Sequence, residues 1–326
     1  MKKLTLIVVS LLITAGFALN VTAQEINLKA YVPTNPTAVP TKALVLFAEN
    51  VKEKTNGAVN IKVFHSGQLG NDREGIESTR IGTIDIMFAG TGGYSTFYDK
   101  TKIFDLPFLF DNSQEAYEVV NGPVGEEIFS DMEQFGLVYL STGDNGMRHI
   151  STSKTPVHTV EDVKGLKVRV PEINTYVDLW TWWGAVVTPM PITELYMALK
   201  TGVVDAQDNA PYHSVASKVY EVQDHYSMIN YMWMGLTMVM NKAKWETLPE
   251  EYQKIIKEEA KVAAKWSFDE IERDNVTALE AMKARGTTIE MNPDRESFMA
   301  EIDEFYKKYE NEPWYDKDLI DALRNN

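Results

Sequence analysis

The stretch VNIKVFHSGQLGNDREGIESTRIGTIDIMFAG, residues 59–90, decides the fold. Val59, Ile61 and Val63 alternate with polar residues, so VNIKVF predicts a strand. NDREGIESTRIG predicts a short helix opened by Asn71 or Asp72, and TIDIMFAG a further strand. Upstream, INLKAYVP alternates in the same way. TKALVLFAENVKEKTNG sets Leu44, Phe47, Ala48 and Val51 at helical spacing and stops at Gly57. The order β-α-β-α-β predicts a mostly parallel, doubly wound sheet.

The pattern recurs further along. Region 114–136 reads as helical and GLVYLST as a strand. GLKVRVP predicts a strand with Leu166, Val168 and Val170 on one face and Arg169 on the other. ITELYMALKTG predicts a helix ending at Gly202, with VVDAQ as the next strand. The longest helical stretch runs from Pro249 to Arg285 and stops at Gly286. Its apolar stripe is Tyr252, Ile255, Ile256, Val262, Ala263 and Trp266, interrupted at Glu259. A chain of this length exceeds what one core usually supports, which predicts two domains.

Residues 1–23 carry Lys2 and Lys3, an apolar run and Val21-Thr22-Ala23, the pattern of a secretory signal cleaved after Ala23. Cleavage leaves 30 basic against 47 acidic residues, a net −17 in place of the full chain's −15. That balance argues against nucleic acid and anionic membrane surfaces as partners. It does not forbid a small anionic ligand, since bulk charge is screened beyond roughly 8 Å at physiological salt. The absence of cysteine removes disulfides, thiolate catalysis and Cys-type zinc sites, and it suits an exported bacterial protein.

Catalytic motifs are few and weak. His65, His149, His158, His213 and His225 are scattered without metal-ligand spacing, so no metal or other cofactor is expected. No G-x-S-x-G elbow occurs, and GTGG at 90–93 is a glycine-rich turn suited to lining a cleft. Ser151-x-x-Lys154 and Lys200-Thr-Gly202 match the outer motifs of penicillin-recognising enzymes, but Pro156 denies the first its helix and no middle serine motif lies between. An enzyme is therefore not expected. An exported enzyme acting on organic acids stays as the rival class.

Two arginines carry the binding reading. Arg169 lies just before Pro171 at the carboxyl end of its strand, where open α/β sheets bind ligands. Arg148 opens the second block, and Asn209 follows VVDAQD. A planar guanidinium grips a carboxylate with two parallel hydrogen bonds. Taken singly, each arginine reads rather as the partner of a surface acid such as Asp162 or Glu172.

Together with FAENVKEKTNG, SGQLGNDRE, GTIDIMFA, DLPFLF, NGMRHISTSKTPV, EDVKGLKVRVPE and GAVVTPMPITELYMALKTGVVDAQDN, these residues resemble a solute-binding protein of the tripartite ATP-independent periplasmic (TRAP) transporters, the DctP/SiaP type. The resemblance covers nearly the whole mature chain. It implies an α/β fold of two doubly wound domains of the periplasmic-binding type, joined by a hinge, with a long helix spanning both. The expected division is 24–145 plus 235–274 for the first domain and 146–234 plus 275–326 for the second. It also implies a periplasmic monomer that captures an organic acid between its domains and delivers it to membrane permease subunits.

By the same resemblance Arg169 is the main carboxylate clamp, Arg148 a second donor and Asn209 a ligand-orienting amide. Where sialate-binding members carry a glutamate after the third strand, this chain has Gly90-Thr91, and it has Glu172 where they carry asparagine. Glu172 suits the hydroxyls of a sugar acid such as a uronate or aldonate, and equally an ion pair that only orients Arg169. A C4-dicarboxylate is the alternative, with Arg73, Lys42 or Lys100 as its second cation. Gly90, Thr91, Asn35, Tyr212 and Trp233 complete the expected ligand contacts.

Overall fold

The computed structural model describes residues 25–324. The predicted signal peptide lies outside them. The first block is β1 (Ile26–Tyr31), α1 (Val39–Lys54), β2 (Val59–Phe64), α2 (Asp72–Arg80) and β3 (Ile86–Gly90). Strand β1 runs parallel to both β2 and β3. Asn71 caps α2 rather than Asp72: its side chain accepts from the Glu74 amide at 2.9 Å, and Glu74 accepts from the Asn71 amide at 2.9 Å. Asn71→Ala is expected to lower unfolding free energy by about 1 kcal/mol in urea titrations, because the Glu74 amide loses its side-chain acceptor.

Region 114–136 is two short helices, α3 (Ser113–Val120) and α4 (Pro123–Ser130), followed by a 3-10 turn. Gly122-Pro123 breaks them apart. Next come β4 (Leu137–Thr152), β5 (Lys167–Val170), α5 (Asn174–Trp182), β6 (Val186–Pro189), α6 (Ile192–Lys200), β7 (Ala206–Asn209) and α7 (Pro211–Ala216). The chain closes with β8 (His225–Asn241), α8 (Lys242–Glu246), α9 (Glu250–Arg285), β9 (Thr288–Glu290), α10 (Arg295–Met299), α11 (Ile302–Lys307) and α12 (Lys317–Arg324).

One mixed sheet runs through the molecule in the order β2-β1-β3-β8-β4-β7-β5-β6, with β9 beside β8. The outer trios β2-β1-β3 and β7-β5-β6 are parallel, and both join the central antiparallel pair β4 and β8. The register of that pair breaks between Asp144 and Met147 and again between Arg148 and Ile150. Residues 137–144 pair with 235–241 beside the first trio, and 147–152 with 225–233 beside the second. Gly146 sits at the break with φ +85°, a left-handed conformation that suits glycine.

Strand β4 is far longer than GLVYLST, because the polar run Ser141–Asn145 continues it up to the bulge instead of turning. Strand β8 has no clear alternation, since it is nearly buried from end to end.

Helix α9 crosses the sheet and packs on α1, β4 and α7. At about 1.5 Å per residue its 36 residues reach roughly 54 Å. Ile256, Ala260 and Ala263 join the core with Leu44 and Phe47 of α1, whereas Ile271 and Ala278 pack with Ala210 and Tyr212 around α7. Two details differ from the sequence reading. Val262 is exposed, and Glu259 is buried within the stripe, salt-bridged to Lys54 and accepting from Asn50 Nδ2 at 2.9 Å. The C-terminal segment ties two connections together: Tyr306 donates to the carbonyl of Pro107, before α3, at 2.7 Å and Tyr309 to Asp178 on α5 at 2.8 Å.

Candidate functional site

The carboxyl ends of β1 and β3 on one side, and of β5, β6 and β7 on the other, open onto a common cavity. Its empty space is about 800 Å³, part of it open to solvent. Such crevices at strand ends are where open α/β sheets take ligands. The back wall comes from the β4–β8 pair, through Asn145, Arg148, Met234 and Leu236.

Arg169 is the chemically distinctive group. It is almost fully buried, yet among the described residues it forms no salt bridge. Its Nε and Nη2 both donate to the Met190 carbonyl, at 2.9 and 2.6 Å, and its Nη1 has no acceptor among the described residues. Strand alternation sends Val168 and Val170 into the apolar core, which turns Arg169 to the opposite face. Burial lowers its pKa to about 10, with Asp208 opposing and Arg148 adding to the drop, so it stays cationic at neutral pH. A buried charge without a counterion is unfavourable, and a carboxylate from solution would satisfy it.

Arg148 is held differently. Its Nε donates to Asp208 Oδ2 at 2.6 Å and its Nη2 to the Asp208 carbonyl, which ties β4 to β7. Nη1 contacts Met234 Sδ at 3.2 Å, and the guanidinium carbon lies 5.4 Å from the Tyr176 ring centre. Burial works against the charge, but Asp208 outweighs it and raises the pKa above the ordinary arginine value. Asp208 also accepts from the Tyr231 hydroxyl, while its Oδ1 has no partner among the described residues. Arg148 therefore supplies positive potential to the back wall with little free donor capacity.

Asn209 ends β7 on the same wall. Its Nδ2 donates to Gln207 Oε1 at 2.6 Å, and Gln207 Nε2 donates to Ser151 Oγ at 2.7 Å, which fixes the amide from behind. That leaves Asn209 Oδ1 without a donor among the described residues, so the free end accepts. Ser151, the serine of the penicillin-like motif, is buried in this network and donates to Gln223 at 3.0 Å. Glu172 and Gly90 also line the cavity, Glu172 at its exposed rim.

Four expected contacts are elsewhere. Asn35 is not in the lining: its Oδ1 accepts from the Thr37 and Ala38 amides and its Nδ2 donates to the Ala216 carbonyl, so it staples the β1–α1 loop to α7. Thr91 is buried with its hydroxyl 2.9 Å from that of Thr237. Tyr212 donates to Asn145 Oδ1 and Trp233 to Asp144 Oδ1 at 2.7 Å, both bracing the register break from behind. Each has its polar atom turned to a protein partner instead of the cavity.

Of the first-block cations, Arg73 reaches the rim; Lys42 pairs with Asp274 and Lys100 with Asp131.

Two titratable lining residues were not anticipated. Asp72 stands at the start of α2, and burial pushes its carboxyl up to about 6, with Arg169 opposing and Glu172 adding to the rise. His213 lies on α7, and burial lowers its imidazole to about 4, so it is neutral at pH 7. Asp72 was legible in the run NDRE, where its capping position masked it. His213 lies four residues after Asn209, on α7, which follows β7 directly.

Comparison with known proteins agrees with this geometry. The sequence matches the family described as bacterial extracellular solute-binding protein, family 7, over residues 31–312. A 2,3-diketo-L-gulonate-binding periplasmic protein of Escherichia coli is 31% identical, over 77% of each chain. A TRAP periplasmic solute-binding protein from Polaromonas, solved with bound D-erythronate, superposes with a TM-score of 0.88 at 29% identity, covering 92% of this chain and 98% of that one. Another from Sulfitobacter, with bound β-D-galacturonate, gives 0.87 at 28% identity over 92% of this chain and all of that one.

Proposed function

The chain belongs to family 7 of the bacterial extracellular solute-binding proteins, the solute-binding proteins of TRAP transporters, and from that premise we propose that it captures a sugar acid, a uronate or aldonate, for uptake. The observation that carries this reading is the buried, unpaired guanidinium of Arg169 at the end of the cavity. The ligand carboxylate bonds to Arg169, with Arg148 adding potential from behind. Asn209 Oδ1 and Glu172 accept from ligand hydroxyls. The names of the relatives support the choice of ligand, since erythronate, galacturonate and diketogulonate are all hydroxylated acids with one carboxylate.

Capture works by closure. The first half of the molecule, 24–145 with 235–274, and the second, 146–234 with 275–326, turn about the break at Gly146, and ligand contacts with both halves shift the equilibrium. Closing excludes water and strengthens the Arg169–carboxylate attraction through the lower effective dielectric. The mature chain starts after Ala23, works in the periplasm as a monomer and hands its ligand to the permease subunits. Among the described residues no helix is long and apolar enough to cross a membrane.

The test is a thermal-shift screen of the mature protein against uronates, aldonates, C4-dicarboxylates, 2-oxo acids and sialate. Ligand at 100 times its dissociation constant adds about 2.7 kcal/mol to stability, a readable rise in melting temperature. A rise confined to uronates or aldonates is expected. No rise with any carboxylate would refute the function, and turnover of the ligand by mass spectrometry would put an enzyme in its place.

A further inference from the structure

Two hydrogen-bond donors on the back wall converge on a poor acceptor. Asn145 Nδ2 donates to Met234 Sδ at 3.0 Å, and Arg148 Nη1 donates to the same sulfur at 3.2 Å. A thioether accepts weakly, whereas a guanidinium nitrogen is a strong donor that ordinarily finds an oxygen. Neither nitrogen has another acceptor among the described residues. All three side chains are buried, and all three line the cavity.

Both donors are fixed from behind. Asn145 Oδ1 accepts from the Tyr212 hydroxyl, which sets the sense of the amide and turns its nitrogen to the sulfur. Arg148 is anchored to Asp208 through Nε and Nη2, so Nη1 is the donor capacity it keeps. Asn145 precedes Gly146 and Arg148 follows it, so the sulfur bridges the register break.

The sulfur is the movable member. A methionine side chain has three rotatable bonds and adapts to irregular space. Gly90 stands beside it: a Cβ there would lie 3.8 Å from the Met234 methyl and 3.9 Å from its sulfur. The glycine thus leaves a methyl-sized gap next to the thioether.

Resting on the sugar-acid reading, we infer that Met234 is a positioning residue whose thioether holds the place of a ligand oxygen, keeping Asn145 Nδ2 and Arg148 Nη1 aimed at one point and turning aside when the bound acid brings an oxygen there. The exchange favours the ligand, because both donors trade a weak acceptor for an oxygen and Arg148 gains a charge-assisted bond. Two donors, one of them cationic, admit a carboxylate, carbonyl or hydroxyl oxygen at that point and exclude an ammonium group. Residue 234 also sets the affinity. A better acceptor there competes with the ligand, and an apolar side chain leaves two buried donors that only the ligand satisfies.

The experiment is calorimetric titration of wild type, Met234→Leu and Met234→Gln with D-galacturonate and D-erythronate, with melting curves of the ligand-free proteins. Leucine keeps the volume and removes the acceptor. Met234→Leu is expected to melt below wild type without ligand and to bind the acid about tenfold more tightly. Met234→Gln puts an amide oxygen between the two donors, so it is expected to melt above wild type and to bind at least about tenfold more weakly. A methionine that only fills space would leave affinity unchanged in both variants, and one that contacts the ligand would weaken it in both. Either result overturns the placeholder and leaves sugar-acid capture standing. If the leucine variant folds poorly, the glutamine variant decides, since unchanged or raised affinity there overturns the inference. Binding of neither these nor any other uronate or aldonate by wild type overturns the sugar-acid reading itself, and this inference with it.

Discussion

Arg169→Met is expected to abolish ligand binding and, at the same time, to raise the melting temperature of the ligand-free protein. The guanidinium contributes to binding through two charge-assisted bonds, each about 1.5–3 kcal/mol, so its loss weakens affinity by about 10²- to 10⁴-fold. Without ligand, its charge is desolvated, and among the described residues its hydrogen bonds go to the Met190 carbonyl alone, with no acid at salt-bridge distance. Replacing buried ionic groups with apolar side chains of similar volume is often neutral or stabilising, by about 1–4 kcal/mol for a whole ion pair, and a charge with no ion-pair partner has less to lose. Arg169→Lys should keep the charge but lose the fork, and affinity should fall at least about tenfold. Titration calorimetry and melting curves on the same samples separate the two effects. Wild-type affinity in the lysine variant would remove the bidentate clamp, and a lowered melting point in the methionine variant would show that Arg169 serves the fold.

Asp208→Asn is expected to act in the opposite direction. It leaves Arg148 buried without its counterion and takes the anionic acceptor from the Tyr231 hydroxyl. Breaking one side of a buried pair costs about 3–5 kcal/mol, a large part of a domain's stability. Urea unfolding should report that loss. The double variant Asp208→Asn/Arg148→Met should recover much of it, since no orphaned charge remains. A single variant with wild-type stability would mean that the pair does not hold β4 to β7. Both arginines are buried on one wall, yet one is tied to its neighbour and the other waits for a partner from outside.

That difference was not legible in the sequence. Arg148 and Arg169 stand at similar places, each beside a strand-like run, and only packing tells that Asp208 reaches the first and not the second. The parallel trios were legible because Val59, Ile61 and Val63, or Val168 and Val170, alternate on half-buried strands. Strand β8 was not, because burial on both faces removes the alternation that periodicity needs. Asn35, Tyr212 and Trp233 lie near the expected positions in sequence, but hydrogen bonds to Ala216, Asn145 and Asp144 turn their polar atoms away from the cavity. Asp72 was hidden for the reverse reason, since a helix-start acid has an ordinary local explanation that its tertiary place overrides.

The continuous strands β4 and β8 bear on how the chain assembles. Neither trio completes its sheet until residues 137–152 meet residues 225–241, with all of β5 to α7 threaded between them. Loop-closure entropy must be met before that contact stabilises anything, so folding is slow compared with a chain of local contacts. Once formed, the shared pair couples the two ends, and heat should melt them in a single calorimetric transition. A member of a periplasmic family gains from the same delay, because a chain that folds slowly stays threadable while it is being moved.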